Sequence, residues 1–478
     1  MTNSKKNSSA LAVITLLFFM WGFITSMNDI LIPFLKKVFE LTRAQSMLVQ
    51  FSFFIAYFIG SLFYFLFSAR IGDPIGKIGY KKSIIIGLLL SALACISFYP
   101  AAELKIYGLF LTALFILGLG FTILQIAANP YVARLGSPET ASGRLNLSQG
   151  FNSLGTTVAP ILGGYLVFHY FSKIGLPLLN KLGTPILTEG GAEISKFGVQ
   201  MPYLIFAGVF FLLAILFYFI KLPQIVSGEK ATKGAGALRY RHLVLGMFAI
   251  FFYVGGEVSV GSVIINFSHE LLGLAEMDAK TFLALYWGGA MIGRFLGAIS
   301  LSSNKNSNKK YLMMLATAFL TFFGIYFILF LENGMKFSQI APYIIFIVIN
   351  LLAFLLGKSK AESTLKIFAL IIIGLLSITM LTNSYVSLWC LVGIGIFNSI
   401  MWSNIFTLAI KDLGEYTGQA SSLLVMMVLG GAILPFIQGF FADIFNGYHY
   451  SFFVPMISYI YLFYYGWRGY KVKINEVH

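Results

Sequence analysis

The chain has 478 residues, 58% of them hydrophobic and only 11% charged, with a formal net charge of +15 and a mean hydropathy of +0.85. A water-soluble domain carries about 25% charged residues, so this composition excludes a fold that faces water all round and places the chain in a bilayer. The positive excess lies in short segments between apolar runs, which speaks against a nucleic-acid surface, and the two cysteines, Cys95 and Cys390, sit inside apolar runs and offer no disulfide framework.

The polar start, residues 1–10 with Lys5 and Lys6, leads into an apolar run that reaches about Leu35. That is too long for a signal-peptide core, so it reads as a retained first span. A helix needs about 20 apolar residues to cross the hydrocarbon, and fourteen spans are predicted. Six fall in the first half, at 9–34, 44–69, 83–101, 106–130, 146–170 and 201–220. Eight fall in the second, at 242–268, 281–302, 311–331, 341–357, 366–382, 386–410, 417–442 and 450–467.

Several spans carry polar groups where lipid would forbid them. Asp29 lies towards the outer part of the first span, in Asn28-Asp29-Ile30-Leu31-Ile32-Pro33. A carboxylate in a half-dry cavity holds a proton more readily than in water, so Asp29 could load a proton on one side and release it on the other. A sodium ion held by carboxylate, amide and backbone oxygens is the physical alternative, and a boundary residue with no function the bland one. Gln125 and Asn129 are four apart on the fourth span, on one helix face. Asn146, Gln149 and Asn152 make a second amide stripe on the fifth. Residues 171–200 form the longest outer loop, and residues 222–241, polar and containing Lys, Gly and Ser, read as a flexible linker.

In the second half, Glu257 sits midway along a span in Tyr253-Val254-Gly255-Gly256-Glu257, with Tyr253 one turn away. An ionisable residue there is costly and usually faces a cavity. Asn398, Trp402 and Asn404 share a later span. Amides both donate and accept, which suits a neutral polyhydroxylated ligand, and Trp and Tyr faces suit the C–H side of a sugar ring. Interhelical hydrogen bonding favours the same residues and is the better account of any single amide, whereas the set of stripes points to a ligand site.

Residues 118–164 and 393–439 align without a gap at an offset of 275, pairing Asn129 with Asn404, Gly155 with Gly430 and Pro160 with Pro435. Near the first span of each half the offset is 233, with Phe18, Phe19 and Gly22 on Phe251, Phe252 and Gly255. The growth in offset is room for two additional spans. The expected fold is therefore an all-α polytopic membrane protein of two pseudo-symmetric six-helix bundles plus an inserted helix pair. Residues 1–221 form the first bundle, 222–241 a cytoplasmic linker, and 242–478 the second bundle with the extra spans within about 311–382. Lys and Arg divide 23 to nine between the two sides of this topology, with Arg294 inside a span, which puts both termini in the cytoplasm. Two lobes around a shared site suggest a transporter. No Walker loop, His-Glu-x-x-His or Gly-x-Ser-x-Gly string occurs, so an ATP-driven pump or a membrane enzyme is not indicated.

The strings Asn28–Pro33, Gln125-Ile126-Ala127-Ala128-Asn129-Pro130-Tyr131, Arg144-Leu145-Asn146-Leu147-Ser148-Gln149-Gly150-Phe151-Asn152 and Phe397-Asn398-Ser399-Ile400-Met401-Trp402 resemble the fucose/glucose-galactose–cation symporters of the major facilitator superfamily. The loop Gly72-Asp73-Pro74-Ile75-Gly76-Lys77 resembles the superfamily's signature between its second and third helices. The resemblance implies a sugar importer in a bacterial inner membrane, with Asp29, Gln125, Gln149 and Asn152 at the positions that handle cation and sugar. The fucose branch has Glu where this chain has Gln125. The glucose/galactose branch has Gln there and a seventh-helix Glu, as Glu257 here. The expectation is thus hexose import with a cation, proton before sodium, by a monomer without a cofactor or resident metal. Asp29 and Glu257 would couple the cation, and Gln125, Asn129, Gln149, Asn152, Tyr253, Asn398 and Trp402 would bind sugar. A transporter of another polar solute (fucose, amino sugar, polyol, nucleoside) is the nearest rival; a polytopic enzyme or a sugar sensor is more remote.

Overall fold

The computed structural model describes residues 2–41, 43–171, 174–175, 177–178, 184–186, 195–223, 233–274, 276–302 and 306–472. A few helical side chains, that of Asp29 among them, lie outside the described set. The first half holds α1 (Thr2–Val38), α2 (Arg43–Ile71), a short α3 (Pro74–Ile78), α4 (Tyr80–Leu104), α5 (Tyr107–Arg134), α6 (Ala141–Tyr165) and α7 (Phe197–Phe219). The second holds α8 (Arg241–Leu272), α9 (Glu276–Ser300), α10 (Ser307–Asn333), a short α11 (Phe337–Ile340), α12 (Tyr343–Leu356), α13 (Ala361–Leu381), α14 (Tyr385–Asn398), α15 (Met401–Ala409), α16 (Thr417–Met426), α17 (Gly430–Ile444) and α18 (Phe453–Tyr464).

Long apolar segments have no water partner for their backbone, so they satisfy it internally as helices. Side-chain caps mark several starts: Asn306 Oδ1 accepts from Lys309 N at 3.0 Å, and Ser384 Oγ from Val386 N at 3.2 Å. Eleven helices among the described residues are long and apolar enough to cross a membrane. Their outer faces carry bare apolar side chains such as Phe436, 77% exposed, and Leu381, 83% exposed, as lipid contact requires.

The two halves repeat one packing plan. Helix α1 pairs with α6 as α8 pairs with α17, α2 with α5 as α9 with α14, and α4 with α5 and α7 as α13 with α14 and α18. Glycine makes the tightest of these contacts possible. A β-carbon at Gly155 would overlap the Phe19 carbonyl oxygen, and one at Gly430 the Phe251 carbonyl oxygen. Among the described residues, helices α10 and α12 have no counterpart in the first half. They pack outside α9, α13 and α14. Helix α12 has only 14 residues, about 21 Å at 1.5 Å per residue, so it crosses only together with α11.

Two predicted spans are interrupted. That at 386–410 breaks at Ser399–Ile400, between α14 and α15, and that at 417–442 tightens into a 3₁₀ turn at Met427–Leu429. In the described part of the linker, the Gly234 backbone finds partners at the bundle. Gly234 N donates to Ala69 O at 2.7 Å, and Gln419 Nε2 donates to Gly234 O at 3.0 Å.

Candidate functional site

A cavity of about 230 Å³ lies between the halves. The first half lines it with Trp21 and Thr25 of α1, Phe53, Phe54 and Tyr57 of α2, Gln125 of α5, and Gln149, Asn152 and Thr156 of α6. The second lines it with Tyr253 and Glu257 of α8, Arg294 of α9, Trp402 of α15, and Val428. The volume is below the range of about 300–1,000 Å³ typical of drug-sized pockets, a size suited to one monosaccharide.

The first-half face is neutral. The Tyr57 hydroxyl sits beside the Gln125 amide and the Trp21 indole. Gln125 Oε1 is buried without a hydrogen-bond partner among the described residues. Asn152 Nδ2 donates to Phe18 O at 3.0 Å, which fixes the amide against α1.

The second-half face is charged. Arg294 Nη2 lies 3.8 Å from Glu257 Oε1, and the two side chains are only 12% and 10% exposed. This separation exceeds a hydrogen bond, and Glu257 Oε1 has no other hydrogen-bond partner among the described residues. Arg294 also donates through Nη1 to Ser153 Oγ of the opposite half and through Nε to Ser399 O at 3.4 Å. One guanidinium therefore touches the carboxylate, the broken backbone between α14 and α15, and the other lobe. The Tyr253 hydroxyl sits beside both Glu257 and Arg294. Trp402 stacks on Phe406 with ring centroids 6.2 Å apart, and its Nε1 has no hydrogen-bond partner among the described residues. Carboxylate, guanidinium and amides in one small chamber with two indoles can bind several hydroxyls and two ring faces at once.

Six of the residues singled out from sequence meet here: Gln125, Gln149, Asn152, Tyr253, Glu257 and Trp402. Asn398 stands behind the chamber. Its Oδ1 accepts from Tyr459 OH at 2.8 Å, its Nδ2 donates to Tyr286 OH at 2.9 Å, and Tyr286 donates to Glu257 O at 2.8 Å. Asn398 thus steadies the Glu257 turn without lining the cavity. Asn129 is fully buried one turn beyond Gln125, also outside the lining. The Asp29 side chain lies outside the described residues. Arg294 was legible as a charge inside a span but was not assigned to the site. Trp21 and Tyr57 gave no signal in a chain so rich in aromatics.

Among the described residues, polar contacts between the halves lie at the level of the chamber or on its linker side. Arg134 Nη2 donates to Gly414 O at 2.8 Å and to Thr417 Oγ1 at 2.6 Å, and Ser142 and Thr407 hydroxyls meet at 2.5 Å. Asp73, after α2, caps α3 by accepting from Ile75 N at 3.3 Å, accepts from the Tyr64 hydroxyl, and packs against Gly418 of α16. Burial pushes the Asp73 carboxyl up from its ordinary pKa, against the lowering from its hydrogen bonds and from Arg134. A larger cavity of about 860 Å³ opens at this end, lined by Arg134, Glu139, Lys360, Glu362, Lys411 and Asp412. Its loop position and mixed charges mark a wet cleft between the lobes, and the smaller chamber is the better ligand site.

The family model of the Major Facilitator Superfamily matches residues 14–359. A glucose/galactose transporter of Brucella abortus is 41% identical over 476 residues, 98% of this chain and 96% of that one. The L-fucose–proton symporter of Escherichia coli is 30% identical over 442 residues, 90% and 86% of the two chains. A crystal structure of the facilitator transporter FucP in the outward conformation superposes with a TM-score of 0.72 at 27% identity, covering 97% of this chain and 99% of that one.

Proposed function

This chain belongs to the major facilitator superfamily, among its glucose/galactose and fucose transporters, and we propose that it imports a hexose together with a cation, proton rather than sodium, by alternating access. The observation that carries the reading is the interlobe chamber, where neutral amides of one half face the Glu257–Arg294 pair of the other across a space of monosaccharide size. Sugar hydroxyls would bridge Gln125, Gln149 and Asn152 to Glu257 and Arg294, and Trp21 and Trp402 would cover the ring faces. The proton is favoured because an L-fucose–proton symporter stands among the relatives.

In this reading residues 1–221 and 242–478 rock about the chamber, joined by 222–241, with both termini on the cytoplasmic side of a bacterial inner membrane. The linker end is then the cytoplasmic end, and the conformation described faces outward. Asp29 and Glu257 are the coupling carboxylates. Each chain holds a whole chamber, so a monomer suffices. The test is uptake of labelled glucose and galactose into proteoliposomes under separately imposed pH and sodium gradients. A pH gradient should drive accumulation, and Asp29→Asn should abolish it while leaving exchange. Accumulation driven by sodium alone would reverse the choice of ion, and unchanged accumulation in both Asp29→Asn and Glu257→Gln would dispose of the coupling assignment.

A further inference from the structure

The chamber and the linker-end cleft are lined by the same helices. On α5, Gln125 faces the chamber and Ala133 the cleft. Asn129 lies between them, four residues from each and on the same helix face. On α6, Gln149 faces the chamber and Ser142 the cleft, with Asn146 between. On α15, Trp402 faces the chamber and Thr407 the cleft, and Ser403 lies between.

These intervening residues are fully buried. Both side-chain polar atoms of Asn129, both of Asn146, and the Ser403 hydroxyl lack a hydrogen-bond partner among the described residues. Buried amides are nearly always satisfied, so two wholly unpartnered ones between two cavities need an explanation. Apolar side chains close the interface beside Asn146. Ile400 packs against Gly297, where Asn146 Nδ2 also approaches, and the Phe151 and Phe295 rings meet across the halves with centroids 5.6 Å apart. A purely structural seal would have used apolar side chains throughout.

We infer that Asn129, Asn146 and Ser403 form a second, inner subsite for a neutral polyol, closed in this conformation and opened when the halves part at the linker end. The inference rests on the transporter reading above. Once the interface opens, the two amides supply the donors and acceptors that receive the sugar's hydroxyls as it leaves Gln125 and Gln149. In the closed state the same amides are deprived of partners, which disfavours closure and keeps the two facings close in free energy.

The test uses the full chain in proteoliposomes, with Asn129→Leu and Asn146→Leu, singly and together, and with Asn129→Ser and Asn146→Ser as polar controls. Sugar binding is read from tryptophan fluorescence of the chamber and transport from counterflow of labelled sugar. The Leu pair should bind sugar within about twofold of the unaltered protein yet exchange it at least tenfold more slowly, and the Ser variants should recover most of the rate. Counterflow unchanged in the Leu pair overturns the subsite. Equal loss of binding and rate in the Leu and Ser variants also overturns it, because the residues then serve folding or the chamber itself. The assay runs with whichever neutral solute the unaltered protein exchanges. A failure of the hexose reading therefore shows in the unaltered protein, and a failure of the subsite only in the variants.

Discussion

The first half presents Gln125, Gln149 and Asn152 to the chamber, and the second presents Glu257 and Arg294. By the internal alignment at offset 275, Gln125, Gln149 and Asn152 correspond to Ile400, Leu424 and Met427, whereas Gly155 still corresponds to Gly430. At offset 233, Glu257 corresponds to Ile24. Positions where helix backbones touch have stayed alike, and positions that face the chamber have diverged. The physical reason is that any side chain at Gly155 or Gly430 would drive two helices apart, while a chamber-facing side chain meets open space and can change without disturbing the bundle. Duplication thus supplied the frame, and divergence gave one lobe neutral sugar-binding groups and the other an ion pair.

This division of labour can be broken experimentally. The largest effect is expected in Glu257→Gln, which should reduce accumulation under a pH gradient to the equilibrium level while downhill exchange persists; Gln149→Leu should still concentrate sugar. Similar accumulation defects in both variants would mean that the lobes do not divide the work. Next comes stability. Arg294→Gln leaves a nearly buried carboxylate unpaired and should cost about 3 kcal/mol, the lower end for breaking a buried pair, because 3.8 Å is a loose contact. The double change Glu257→Gln with Arg294→Gln should cost less than Arg294→Gln alone in thermal unfolding in detergent.

A smaller effect is expected on the neutral side. Gln149→Leu should raise the KM for sugar about tenfold, about 1.4 kcal/mol, the size of one or two lost hydrogen bonds, with accumulation intact. The smallest effect concerns Asp73. Its folded-state pKa is raised by burial, so the folded state holds this proton after the unfolded chain has released it. Stability from this group is therefore lost as pH rises from the ordinary carboxylate range to the raised value, and the charged form carries the penalty above it. Asp73→Asn removes that loss, so its unfolding temperature should fall less than the parent's between acid and neutral pH. A parallel fall in both proteins would show that Asp73 is not the group responsible.

Most of the frame was legible because lipid imposes a simple rule: a segment that crosses must be long, apolar and helical. The long apolar helices follow from it, eleven of them long enough to cross among the described residues, while the repeat and the extra pair were read from the alignment offsets. The break at Ser399–Ile400 was not visible, since no proline or glycine marks it, whereas Gly430-Gly431 directly after Met427–Leu429 marks the second and was not used. Among site residues, Glu257 announced itself by the cost of a charge in hydrocarbon. Arg294 carried the same signal and could have been paired with it.

Composition, hydropathy and the repeat determined by themselves that this is a two-lobed membrane protein with a polar interior, because those properties depend only on the order of residues along each helix. Which amides face the chamber was decided by the tertiary structure alone. Gln149 and Asn398 look equally polar in the sequence. One lines the cavity, and the other is held by Tyr286 and Tyr459 behind it. That choice depends on how each helix is rotated against its neighbours, and rotation is set by contacts between residues far apart in the chain, such as Gly155 on Phe19 and Gly430 on Phe251.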